Sequence, residues 1–381
     1  MHVLHILPGG EYGGAEAQIL ALAKGLRERG VDVTIIAFYE ASFAKRCRED
    51  GIAIVVMASK SLREDRATVS AYLSEHPVDL LHTHGVRASV LGRSLGKALA
   101  IPVVTTVHSD LAYDYHGMRK VLMMQMERFT RKRSQKVIAV SEALRKTLLA
   151  RGYRQQQVVT IANGIDDEKA QAAITQAEAT PLALHQELGI EASSYVVLNV
   201  ARLHPVKYQQ DLIMAISSIH EVDGKAVHLV IAGDGEQKEA LQELAGKLAP
   251  DRIHFLGARN DIYALLLASD VFALTSHMEG LPITLLEAMV SGIPIVATHV
   301  GGMVELIHGD GSEQDRCGIT VPAHDIKAIA TAIGNVLSDS QARRKMGDNG
   351  KRRVAQSYTQ SNMACRVHEL YQEIVTKPRG L

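Results

Sequence analysis

Short apolar runs alternate with amphipathic stretches through the first half of the chain. The runs are HVLHIL (2–7), VDVTIIAF (31–38), IAIVVM (52–57), DLLHTH (79–84), PVVTTVH (102–108) and KVIAVS (136–141), and the first helix is expected over 15–29. Continuous β-branched runs separated by helical segments mark parallel strands covered on both faces. The same grammar restarts with YVVLNV (195–200), VHLVIAG (227–233), IHFLG (253–257), VFALTS (271–276) and IPIVATH (293–299). Between the two series, 166–188 is polar and rich in Ala and Gln, with helical but no strand character, and everything after Asp325 reads as helix. The expected fold is α/β, with two Rossmann-like, doubly wound parallel-sheet domains in tandem. In such sheets ligands bind beyond the carboxyl ends of the strands, so the chemistry is expected there and in a cleft between the domains.

Composition narrows the function without naming it. The chain has 381 residues, enough for two domains with real cores, and 46% hydrophobic against 22% charged residues is a globular balance. Cys47, Cys317 and Cys365 are far apart and outside any C-x-x-C pattern, which points to reduced thiols. No apolar run is long enough to span a membrane, and the first residues lack the basic and apolar regions of a secretory signal, so a cytoplasmic location is expected. Net charge is zero, yet 119–136 holds seven bases against Glu127 alone. With no Trp and only 5 Phe and 11 Tyr the chain lacks the stacking residues of single-strand binders, and nucleic acid is set aside.

The most informative stretch is E-G-L-P-I-T-L-L-E. Pro282 suits the first position of a helix, which places Glu279 in the preceding loop and Glu287 inside the helix. The amides of Ile283 and Thr284 at the helix start suit a phosphate, and a carboxylate accepts hydrogen bonds from sugar hydroxyls. On its own such a pair of glutamates more often flanks a core helix as solvated residues. Arg202 and Lys207, just beyond the YVVLNV run, change the balance: together they suit a diphosphate, and no D-x-D carboxylate pair is present to bring a divalent cation to one. Gly13 and Gly14 join the first strand to the first helix, where backbone amides approach an anion. His108 ends a strand and is aimed at the cleft. His82 and His84 share a strand face, but no third metal ligand lies nearby in sequence, and two polar strand-end residues is the simpler reading.

In this order, Gly13-Gly14-Ala15-Glu16, His82-Thr83-His84-Gly85, His108, Asn163-Gly164-Ile165-Asp166, Ala201-Arg202-Leu203 with Lys207, Gly233-Asp234-Gly235, Phe255-Leu256-Gly257 and Glu279 with Glu287 resemble the retaining glycosyltransferases of family 4, which have the GT-B fold of two facing Rossmann-like domains. The resemblance implies an acceptor-binding domain over 1–170, a linker over 171–192, a nucleotide-sugar donor domain over 193–357 and a C-terminal helix, 358–381, crossing back. It implies that Arg202 and Lys207 hold the donor diphosphate, Gly13 and Gly14 a phosphate through their amides, Glu287 the ribose, and Glu279, Gly280 and Leu281 the transferred sugar. His108 would touch that sugar near the reacting centre, and 258–261, with Arg259, would lodge the base. The implied reaction moves a hexose from a nucleotide diphosphosugar, UDP-linked before GDP-linked, to a glycan or lipid-linked acceptor in cell-surface polysaccharide or glycoconjugate synthesis, with no metal and no cofactor besides the donor co-substrate. A non-hydrolysing sugar-nucleotide epimerase and a nucleotide-sugar binding module without turnover are the alternatives. Family members often have Gly where this chain has Tyr208, so a tight turn after Lys207 is not expected. The basic segment 119–136, read as one amphipathic helix, suits peripheral contact with an anionic membrane at the inner face of the cell.

Overall fold

The computed structural model describes residues 1–10, 13–57, 61–110, 117–309 and 311–376. The chain divides into two compact units, one made of Met1–Gly164 with Thr359–Leu381, the other of Ile165–Tyr358.

The first unit is built on seven parallel strands: β1 (His2–Leu7), β2 (Asp32–Ala37), β3 (Ala53–Val56), β4 (Leu80–His84), β5 (Val103–Val107), β6 (Lys136–Ala139) and β7 (Val158–Thr160), in the order β3-β2-β1-β4-β5-β6-β7. The strand order reverses between β1 and β4, the place where an open parallel sheet leaves a crevice at its carboxyl edge. Alternate residues face opposite layers. Val3, Leu7, Leu80 and Val104 join one core beneath the Gly14–Arg27 and Gln360–Thr376 helices. Leu4, Ile6, Leu81 and Val103 join the other, beneath the Leu62–Glu75 and Val86–Leu99 helices. The C-terminal helix is integral to this unit, since Met363, Ala364, Val367, Leu370 and Tyr371 are all buried in the first of these cores.

The second unit repeats the plan with β8 (Tyr195–Val200), β9 (Glu221–Val222), β10 (Lys225–Ala232), β11 (Ile253–Gly257), β12 (Val271–Leu274), β13 (Ile295–Thr298) and β14 (Gly318–Val321). The parallel order is β11-β10-β8-β12-β13-β14, and β9 pairs antiparallel on β10. The reversal falls between β8 and β12, which places Arg202, Lys207 and Glu279 at the crevice.

Three features depart from the sequence reading. Strands β7, β9 and β14 were not anticipated, because each spans two to four residues and carries too little periodicity to register. The segment 171–192 lies within the second unit: the Asp167–Ala179 helix, capped by Asp166, packs on the Ile262–Leu267 and Ile283–Ser291 helices. The basic segment is also not one helix. Gly117–Thr130 is helical, Arg131–Arg133 form a 3-10 turn, and Lys136 opens β6. No helix among the described residues is long and apolar enough to cross a membrane.

Candidate active site

The second unit carries one group of the expected site residues. Beyond β8 the chain turns at His204, whose Nδ1 accepts from the Val206 amide at 3.2 Å and so caps the short Pro205–Lys207 turn. Tyr208 follows with φ +48° and ψ +43°, adopting the left-handed geometry that a glycine would take without strain. The cost is roughly 1–2 kcal/mol, and it is held by contacts: its ring packs edge-on against His324 at 4.3 Å and near His277 at 5.6 Å, and Thr275 Oγ1 donates to its carbonyl at 3.0 Å. The tight turn is therefore present although the glycine is not.

That turn aims Lys207. Its Nζ donates to Glu279 Oε1 at 2.6 Å, and Ser276 Oγ donates to the same oxygen at 2.6 Å. A second tie, the His277 amide to the Val206 carbonyl at 2.8 Å, fixes the loop carrying Glu279 to the loop carrying Lys207. The expected phosphate cation and the expected sugar carboxylate are thus brought into one ion pair, mostly buried on both sides. Arg202 is exposed, and its guanidinium has no hydrogen bond or ion pair among the described residues, so it is a cation available to an anionic ligand. Pro282 sits at the N-cap, one position earlier than its expected first helical place, and offers no side-chain cap to the Ile283–Ser291 helix. The first amides of that helix, Ile283 and Thr284, have no partner within it. Gly280 and Leu281 bridge from Glu279 to this helix, and the Gly280 carbonyl accepts from the Gly302 amide at 2.8 Å.

The Arg259 guanidinium is held by Asp261 through two bonds of 2.8 and 2.6 Å and by Glu187 at 2.8 Å, which shapes the loop after β11. Glu187 was invisible as its partner because it lies 72 residues earlier in the chain.

Glu287 lies one turn into its helix, and burial raises its carboxyl to about 7. A ribose diol donates to the ionised form. Nucleotide affinity is therefore expected to rise with pH through about 7 and level off above it, because ligand binding favours the deprotonated state. Calorimetric titration of UDP into wild type and Glu287→Gln, compared pH by pH, checks this. The wild type should lose its advantage on the acid side, and parallel curves would remove Glu287 from the site.

The first unit carries the other group of expected residues. Gly13 is the extended N-cap of the Gly14–Arg27 helix and makes no side-chain cap, as a backbone anion site requires. His108 stands just past β5, its Nε2 3.1 Å from His84 Nδ1, and burial lowers its pKa to about 4, so it is neutral at physiological pH. His82 and His84 do gain a third histidine, His5 of β1, with the candidate ligand nitrogens within 4.8 Å of one another. The third ligand comes from strand pairing and not from local sequence: β1 and β4 pair in register, with His5 opposite His82.

Known families match both halves of the chain. The model for glycosyltransferase family 4 matches residues 12–169, and that for glycosyl transferases group 1 matches residues 182–353. The chain is 28% identical over 306 residues to the N-acetyl-alpha-D-glucosaminyl L-malate synthase of Bacillus anthracis, covering 78% of this chain and 75% of that protein. It is 26% identical over 328 residues to the UDP-Gal:alpha-D-GlcNAc-diphosphoundecaprenol alpha-1,3-galactosyltransferase of Escherichia coli, covering 82% and 81%. Among solved structures, Anabaena HepE in complex with UDP-glucose superposes with a TM-score of 0.83 at 25% identity, over 98% of this chain and 100% of that one. Two classical nucleotide-binding sheets, a cation and carboxylate at the switch point of the second, and family matches over both halves make this chain a member of glycosyltransferase family 4, a GT-B enzyme that uses nucleotide sugars.

Proposed function

We propose that the protein transfers a hexose from a UDP-sugar, with retention of configuration, to a glycan or lipid-linked acceptor. The observation that carries this reading is the Lys207–Glu279 pair beside the unpartnered Arg202, at the carboxyl edge of β8 and β12. Arg202 and Lys207 take the diphosphate, the Ile283 and Thr284 amides add donors to it, and Glu287 takes the ribose. The Glu279 carboxylate, with Oε1 engaged, turns its other oxygen to a hydroxyl of the sugar. As the bond to the leaving phosphate breaks, negative charge grows on the diphosphate and the two cations stabilise it, a preorganised electrostatic contribution. The acceptor hydroxyl attacks from the leaving group's side and its proton passes to the departing phosphate. The UDP preference and the acceptor class draw support from the UDP-Gal and diphosphoundecaprenol named for the E. coli relative.

Two cations without a D-x-D pair lead us to propose a reaction independent of divalent metal. Transfer measured across a panel of UDP- and GDP-hexoses, before and after exhaustive chelation, tests both parts. UDP-linked turnover that survives EDTA is expected. Loss of transfer on chelation with recovery in Mg²⁺ or Mn²⁺ would overturn the leaving-group role of the cations, and turnover with GDP-hexoses alone would overturn the UDP preference.

The acceptor side is proposed to meet an anionic membrane. On the Gly117–Thr130 helix, Met118, Val121, Leu122 and Phe129 are all exposed, Met118 at 84% and Phe129 at 75%, with exposed Arg128, Lys132 and Arg133 beside them. Arg131 does not belong to this surface, because its guanidinium donates to the Arg151 carbonyl and lies over the Tyr153 ring. Each surface base contributes ~1 kcal/mol toward anionic lipid. Flotation with phosphatidylglycerol vesicles, reversed at roughly 0.5 M salt, is expected for wild type and not for a variant with Glu at 128, 132 and 133. Equal flotation of the two would remove the membrane from the proposal.

A further inference from the structure

Beneath the carboxyl edge of the first sheet lies a cluster of titratable side chains with no assigned role. His5 of β1, His82 and His84 of β4 and Thr106 of β5 face the layer covered by the Gln360–Thr376 helix, and Tyr371 of that helix descends onto them. His5, His82 and Tyr371 are 0% exposed and His84 2%. The polar atoms form a single file. Thr106 Oγ1 lies 2.7 Å from His82 Nε2, and His82 Nδ1 is hydrogen-bonded to Tyr371 Oη. Tyr371 Oη lies 3.4 Å from His5 Nε2, His5 Nδ1 3.1 Å from His84 Nε2, and His84 Nδ1 3.1 Å from His108 Nε2. At the far end, His108 Nδ1 is buried and has no partner among the described residues.

A neutral imidazole carries one N–H and one lone pair, so at every ring-to-ring contact one side donates and the other accepts. Followed link by link, with the buried Tyr371 hydroxyl donating to one of its two imidazoles so that its proton is not orphaned, the file admits two arrangements of neutral groups. In one, every histidine is protonated on Nδ1, donation runs from Thr106 toward His108, and the file ends in an unpaired N–H. In the other, every histidine is protonated on Nε2, donation runs toward Thr106, and it ends in an unpaired lone pair on His108 Nδ1. A buried N–H without a partner is the rarer and costlier defect, which favours the second. Burial holds all four imidazoles below their ordinary range, His5 at about 3 and His108 at about 4, so the neutral forms are the relevant ones. The nitrogens of His5, His82 and His84 are close enough for a metal ion. However, each already has a hydrogen-bond partner, and no carboxylate among the described residues bonds to the cluster, leaving a dication without charge compensation.

We propose that Thr106, His82, Tyr371, His5 and His84 act in series as positioning residues that hold His108 in its Nε2–H tautomer, leaving Nδ1 bare to accept a hydrogen bond from a substrate hydroxyl. The inference rests on the reading of His108 as a donor-sugar contact. It also states what no pairwise contact does: the far end of the file controls the near end. Thr106→Val deprives the His82 Nε2–H of its only acceptor. The deeply buried His82 has no water to turn to, whereas His108 borders a cavity of about 60 Å³. All four histidines should therefore invert, each moving its proton from Nε2 to Nδ1 with no change in net charge. Tyr371→Phe cuts the file in the middle, so His5, His84 and His108 should invert and His82 should not. Thr106→Ser keeps the hydroxyl and should leave every tautomer as in wild type.

Nitrogen NMR of full-length protein labelled at the histidine ring nitrogens reads these states directly. Steady-state kinetics add the functional arm, with kcat expected to fall about tenfold in Thr106→Val, equivalent to ~1.4 kcal/mol. The donor KM should stay within about twofold, since one lost contact tuned to the reacting sugar acts on turnover more than on binding, and Thr106→Ser should recover kcat. An unchanged His108 tautomer in folded Thr106→Val or Tyr371→Phe protein overturns the relay, as does stoichiometric zinc found by elemental analysis of the wild type. Inverted tautomers with unchanged kcat uphold the relay and remove His108 from contact with the sugar.

Discussion

Arg202→Ala and Lys207→Ala are each expected to lower kcat/KM by at least ~100-fold, about 2.7 kcal/mol of transition-state stabilisation. The two losses should differ in kind. Arg202 has no partner for its guanidinium among the described residues, so its removal should take away a donor to the ligand and leave the fold as it was. Lys207 holds Glu279 at 2.6 Å inside a mostly buried pair, and deleting one member of such a pair strands the other charge. Lys207→Ala should therefore also reduce thermal stability, and the double variant Lys207→Ala with Glu279→Gln should regain the stability without regaining turnover. UDP affinity should fall in Arg202→Ala and Lys207→Ala but hold in Glu279→Gln, whose proposed ligand contact is with the sugar. Near-wild-type turnover in both single alanine variants would remove the diphosphate role from this loop.

The second large effect is expected at Gly301, a residue that contacts no proposed ligand. It sits between β13 and the Met303–His308 helix at φ +54°, and a Cβ placed there would come within 1.9 Å of the Glu279 carbonyl oxygen. No rotamer relieves a clash between Cβ and backbone, so Gly301→Ala must push the Glu279 loop away, in addition to the roughly 1–2 kcal/mol cost of its left-handed geometry. A displacement of about 1 Å in a positioning group is enough for ~100-fold in rate. kcat should fall on that order while UDP, whose proposed contacts are Arg202, Lys207 and Glu287, still binds. A crystal structure of the variant should show the loop moved. Retained kcat with an unmoved Glu279 would mean that the loop tolerates the shift.

Much of this was legible in the sequence. The strands that build the two switch points are long apolar runs whose β-branched continuity survives without tertiary help, and the residues placed at their ends are where the folded chain has them. What was not legible depended on partners distant in sequence. The bond from Arg259 to Glu187 spans 72 residues, and the break of the basic segment before β6 was missed because charge alone does not distinguish a helix end from a strand start. Tyr208 marks a different limit: propensity argued against a left-handed residue there, and the rings of His324 and His277 overrode it. Of the histidine file only the shared face of His82 and His84 was visible; His5 joins them through strand pairing, and Tyr371 arrives from a helix that no local pattern links to β1.

The placement of the Gln360–Thr376 helix has a consequence for the order in which the molecule is made. The second unit is one uninterrupted stretch, Ile165–Tyr358, and all of its strands have been synthesised before the first unit receives its closing helix. Domains generally fold as they emerge, the amino-terminal one first. Here the amino-terminal sheet leaves the ribosome with the layer over Leu20, Leu22 and Ile35 still uncovered, and it must wait through the whole of its neighbour's synthesis for Met363, Val367 and Tyr371 to complete that core. The unit made first is thus the unit finished last.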